Sequence, residues 1–147
     1  MAVPTRILVP IDLSARSLLG LDYAATLAKV ADAELLLFCN INLPERVALE
    51  EFGKTEDTDI EQAARQQLEH SAADRAPGTS VTVLIGFDDS PAHGILTSAT
   101  EHEVDLIVVA SHGRSGMTRW LLGSVAEKIA RSADVPVVIV PARSRET

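Results

Sequence analysis

The feature that most constrains this chain is the run Leu106-Ile107-Val108-Val109-Ala110, five residues with no polar position among them. A strand with one wet face alternates polar and apolar residues. A strand without alternation is buried on both sides, which requires a sheet covered by helices on each face. The strand is expected over Val104–Ala110. Four further runs read as its companions: Arg6–Pro10, Ala33–Cys39, the alternating Ser80–Ile85 near a sheet edge, and Pro136–Val140, where a leading proline suits an edge strand.

Helical spacing fills the intervals. Leu18, Leu21, Ala25 and Ala28 mark a helix expected from an N-cap at Ser14 to about Ala31. Ile60, Ala63, Ala64, Leu68 and Ala72 mark one from about Asp59 to Asp74. Ile95, Leu96 and Ala99 mark Pro91–Glu103, and a last helix covers Ser124–Ala133. Strands alternating with helices give an α/β, doubly wound parallel sheet with right-handed crossovers. At 147 residues the chain is expected to form a single domain over 1–147. Asn40 to Asp57 lacks periodicity and reads as a long surface connection, and the polar tail Pro141–Thr147 is expected to fray.

The net charge of −8 is spread along the chain, which argues against nucleic-acid or anionic-membrane surfaces, since both want clustered Lys and Arg. No apolar stretch approaches the ~18 residues of a membrane helix. A single cysteine, Cys39, and an N-terminus without signal-peptide layout fit a cytoplasmic protein.

Doubly wound sheets take ligands at the carboxyl ends of their strands, where strand order reverses. Three separated pieces fall on that edge: Pro10-Ile11-Asp12, Cys39-Asn40-Ile41 and Ala110-Ser111-His112-Gly113. The last leads through a loop to Gly123 and a helix opening Ser124-Val125. Amides at a helix N-terminus point outward and the helix dipole favours negative charge, so this unit is suited to phosphate. Ser124-Val125-Ala126-Glu127 equally fits a capping box, in which Ser and Glu satisfy the same amides. Gly113 and Gly123 serve either turn geometry or close approach to phosphate. Asp12 suits a hydrogen-bond donor of a ligand at the strand's end, or bonds its own turn. Arg114 and Arg119 are loop cations, near phosphate or solvated, and His112 has no second metal ligand at zinc spacing. Neither G-x-x-x-x-G-K-[ST] nor G-x-S-x-G occurs, and no base stands beside a nucleophile by spacing.

Ile7–Ser14, Val104–Gly116, Leu121–Lys128 and Val135–Val140 together resemble the universal stress protein family, specifically its single UspA-type domains. ATP-binding members carry glycine, two residues, glycine, nine residues, then Gly-Ser or Gly-Thr. Gly113, Arg114 to Leu122 and Gly123-Ser124 match that pattern, and Ala110 replaces the first glycine. The resemblance implies a Rossmann-like five-stranded sheet of order 3-2-1-4-5 and a homodimer through the last strand, Val137–Val140. It also implies an adenine nucleotide, ATP or AMP or ADP, with Mg²⁺ or Mn²⁺ held by the phosphates. Asp12 would then face adenine or ribose, and Cys39 would line the adenine pocket through its backbone. Gly113, Gly123, Ser124 and Val125 would hold phosphate, with Pro10, Ile11, Ala110, Ser111, His112, Arg114 and Gly116 around them.

Three functions follow. The first is a stress-response module regulated by ATP. The second is a dimeric UspA-like interaction module that binds no nucleotide, to which Ala110 lends support because a methyl group there would crowd the site. The third is a slow ATPase.

Overall fold

The first strand, β1 (Arg6–Pro10), lies in the middle of a five-stranded parallel sheet and is buried along nearly its whole length. The computed structural model describes residues 2–41, 57–112 and 122–141. After β1 come α1 (Leu18–Ala31), β2 (Glu34–Asn40), α2 (Asp57–Arg75) and β3 (Val81–Gly86). The chain continues through α3 (Pro91–Glu101), β4 (Leu106–Ala110), α4 (Ser124–Ser132) and β5 (Val137–Val140). Strand order is β3-β2-β1-β4-β5. The direction of growth therefore reverses after β3, leaving a crevice between the carboxyl ends of β1 and β4.

Pleating sorts the side chains into two cores. Ile7, Val9, Leu35, Leu37 and Val108 meet Leu21 and Ala28 of α1 and Ile60 and Leu68 of α2. Leu8, Leu36, Ile107 and Val109 meet Ile95 of α3 and Ala126 and Ile129 of α4 on the other face. Helices thus cover both faces, as the unbroken apolar runs require, and each fully buried Leu or Ile contributes about 1.5–3 kcal/mol of burial free energy.

Two helix starts differ from expectation. α1 begins at Leu18, four residues after Ser14, and Ser17 stands at its N-cap with a helical backbone and no side-chain cap. Ser14 is diverted into a turn: its amide donates to Asp12 Oδ1 at 3.0 Å, its hydroxyl donates to the same oxygen, and Leu13 between them takes φ +67°. A short polar side chain that captures a nearby backbone amide competes with the helix for it. α4 has Gly123 at its N-cap and Ser124 as its first helical residue, so the Ser124–Glu127 capping box does not form, and Glu127 pairs with Arg131 at 2.8 Å. β4 starts at Leu106, because Asp105 turns aside to accept the amides of Thr5 and Arg6. Residues 42–56, most of the connection expected to lie on the surface, and the tail 142–147 fall outside the described residues.

Candidate functional site

The carboxyl ends of β1, β2 and β4 and the first turns of α3 and α4 surround a cavity of about 270 Å³. Ligand pockets run from about 300 to 1,000 Å³, so the described walls enclose a volume near the small end of that range. Pro10, Ile11 and Asp12 form one wall, Ala110, Ser111 and His112 a second, and Gly123, Ser124 and Val125 a third. Gly113, Arg114 and Gly116 lie outside the described residues.

The α4 wall has the chemistry of an anion cradle. The first helical bond runs from the Glu127 amide to the Gly123 carbonyl, 3.0 Å, which leaves the amides of Ser124, Val125 and Ala126 ahead of the ladder. The N-cap supplies no side-chain acceptor for them, because it is glycine. Gly123 is required here for closeness and not for an unusual backbone, since its φ is −60°. Its amide donates to the Ser111 carbonyl at 2.7 Å, and a Cβ added at Gly123 would lie 3.0 Å from that same oxygen. Ser111 also donates its amide to Val140 at 2.8 Å, so one residue ties the end of β4 to both β5 and α4. Ser111 Oγ and His112 Nδ1 lie 3.1 Å apart, both side chains buried.

Next to the cavity, the turn that opens α3 is acidic and already capped. Ser90 caps α3 by accepting the His93 amide at 3.3 Å, and Asp88 accepts the Ser90 amide at 2.8 Å. The hydrogen bond from His93, then that from Ser90, hold the Asp88 carboxyl below its ordinary value. Asn40 links this turn to the cavity wall. Its amide nitrogen donates to the Asp88 carbonyl at 2.7 Å and its oxygen accepts the Asp88 amide at 2.9 Å, as a paired strand would. Asn40 and Phe38 line the cavity on one side and, on the other, a groove of about 520 Å³ along β3.

The side chains of Cys39 and Ala110 take definite places relative to the two cores. The Cys39 side chain is buried in the core under α1 and α2, whereas the neighbouring Phe38 and Asn40 line the cavity. Alternation along β2 is the reason. Ala110 is the last residue of β4, in extended backbone, so no positive φ is demanded of it. Val109 belongs to the core under α3 and α4, and Val108 to the core under α1 and α2. The Ala110 methyl group therefore projects towards α1, where a Cβ built on Gly20 would come within 3.3 Å of the Ala110 amide nitrogen. Asn40, from the Cys39–Ile41 piece, lines the cavity, and so do Ser17, Phe38, Pro91, Ile95, Val109 and Ala126, which sequence reasoning does not single out. Pro91 carried a sequence signal, a Ser-Pro pair opening a helix at the sheet's carboxyl edge. Among the described residues no three His, Cys, Asp or Glu side chains gather to hold a metal ion, and no helix is long and apolar enough to cross a membrane.

A parallel sheet of this order, with its crevice at the β1–β4 switch point, defines a Rossmann-like α/β protein. The universal stress protein family model matches residues 4–141, and the chain belongs to that family. A universal stress protein of Methanocaldococcus jannaschii, MJ0531, is 30% identical over 146 residues, covering 96% of this chain and 84% of its own length. The solved structure of MJ0577, from the same organism, has TM-score 0.78 and 25% identity, covering 99% of this chain and all of that one. A universal stress protein solved in complex with cAMP has TM-score 0.70 at 24% identity, covering 97% of this chain and all of that one.

Proposed function

We propose that this chain is a cytoplasmic stress-response regulatory module that binds an adenine nucleotide, ATP or its AMP and ADP relatives, in the β1–β4 crevice. The carrying observation is the contrast between two walls of the cavity. The uncapped first turn of α4 offers amides to phosphate, while the Asp12 carboxylate on the β1 wall repels phosphate and suits base and ribose. The cAMP-bound universal stress protein of the same fold supports an adenine nucleotide as the ligand class. Asp12 serves this reading at the ribose, with one carboxylate oxygen already engaged by Ser14. A divalent ion, Mg²⁺ or Mn²⁺, would be held by the phosphates themselves. The reading includes a homodimer through Val137–Val140, because an apolar edge strand is a liability unless paired.

Denaturing the purified protein and identifying released nucleotide, followed by titration of the emptied protein with ATP, tests the proposal. Adenine nucleotide in the supernatant and saturable binding are expected. No release and no binding at millimolar ATP would leave the interaction module without nucleotide as the better reading.

A further inference from the structure

The two edges of the sheet are treated differently. In the parallel ladder, Leu35 donates to the Ser80 carbonyl and Ile41 to the Gly86 carbonyl, so the even-numbered residues of β3 face β2. The backbone groups of Val81, Val83 and Ile85 therefore point outward from the sheet. Arg65, reaching down from α2, donates through Nη1 to the Val83 carbonyl at 3.0 Å, the middle acceptor of the three. Glu61, one turn earlier, holds the same guanidinium through Nη2 at 3.2 Å. At the other edge, Ile107 donates to the Pro136 carbonyl and Ser111 to the Val140 carbonyl, which leaves Val137 and Ile139 facing outward. Among the described residues no side chain reaches the backbone of either.

We infer that Arg65 closes the β3 edge against strand pairing with a second copy of this chain, so that edge-to-edge association is confined to β5. An incoming strand needs the Val83 carbonyl as an acceptor and needs room beside it, and a guanidinium fixed over that carbonyl denies both. The consequence is stoichiometric. A chain with one open edge stops at two copies, whereas a chain with two open edges grows without closure. The inference does not depend on what the cavity binds.

Sedimentation velocity across a wide concentration range tests it, on full-length variants shown to be folded by circular dichroism and thermal melting. Arg65→Met keeps the aliphatic stem on α2 and removes the donors. It is expected to produce a concentration-dependent species of at least about twice the wild-type mass. Arg65→Lys, which leaves a cation over the edge, is expected to match wild type. Glu61→Ala, which frees the guanidinium without removing it, should give a smaller gain and keeps the test open if Arg65→Met does not fold. Arg75→Ala breaks the 2.8 Å pair with Asp22, a comparable link between α2 and α1 away from the edge, and should change nothing. The inference fails if folded Arg65→Met sediments as wild type or if Arg75→Ala gains mass equally. It also fails if adding Ile139→Pro, which removes a donor from the β5 edge, abolishes the gain.

Discussion

At the scale of single residues, positions 110 and 123 exchange the importance that motif spacing gives them. Ala110 stands where ATP-binding relatives have glycine, which in the sequence looks like an obstruction. The strand directs its methyl group away from α3 and α4, towards Gly20 of α1. Ala110→Gly is therefore expected to leave ATP affinity within about twofold and to lower stability by roughly 0.5–1 kcal/mol, the cost of glycine in a strand. Gly123→Ala should do the reverse. Its Cβ would press on the Ser111 carbonyl at 3.0 Å and tilt the α4 amides, with an expected loss of affinity of about tenfold or more. Isothermal titration of both variants with ATP, beside their melting temperatures, checks the pair. Spacing in the sequence marks both positions, but it carries no information about which face of the strand a methyl group occupies. Cys39 shows the same gap: its place at the carboxyl edge can be read from the run Leu35–Cys39, its orientation away from the cavity cannot.

At the scale of elements, the five apolar runs announce all five strands, and the unbroken run in β4 announces helices on both faces. Helix starts were harder, because Ser14 and Ser124 are equally good caps by residue type. What decides between helix and turn is the neighbouring Asp12 carboxylate in one case and the contact of Gly123 with Ser111 in the other. The start of β4 is set in a similar way by Asp105, whose carboxylate accepts the Thr5 amide at 2.9 Å and ties the entrances of β1 and β4 together. Burial pushes the Asp105 carboxyl up, but hydrogen bonds from the amides of Thr5 and Arg6 and the Thr5 hydroxyl outweigh it and hold the group below 3.8. A carboxyl depressed in the folded state adds stability above its unfolded pKa and loses it as pH falls through the folded value. Asp105→Asn should accordingly be less stable than wild type at neutral pH. Its deficit should shrink as pH falls below the ordinary carboxylate value of about 3.9. Urea midpoints of the two proteins across that range measure it, and a deficit independent of pH would show that the Asp105 charge is not involved.

At the scale of the whole molecule, the strand order was expected only through the resemblance to universal stress proteins, since right-handed crossovers alone permit more than one order. The cavity that results draws on segments from Pro10 to Ala126, so a ligand within it bridges both halves of the sheet. ATP at about a hundred times its Kd should stabilise the native state by about 2.7 kcal/mol, and a chain of this length should then melt about 8 °C higher. Differential scanning fluorimetry against ATP and GTP reads the shift and its preference for adenine. The Asn40 clamp carries a different consequence. Phe38 and Asn40 line the cavity on one side and the groove along β3 on the other, and the Asn40 side chain fits only because Gly86 and Gly94 stand aside for it. The two spaces, about 270 and 520 Å³, thus share a wall made by these two residues. Asn40→Ala should breach it, and the measure is whether the variant binds a nucleotide carrying a bulky base substituent that wild type refuses. Ligand size in this protein would then be set by a door that a single substitution removes.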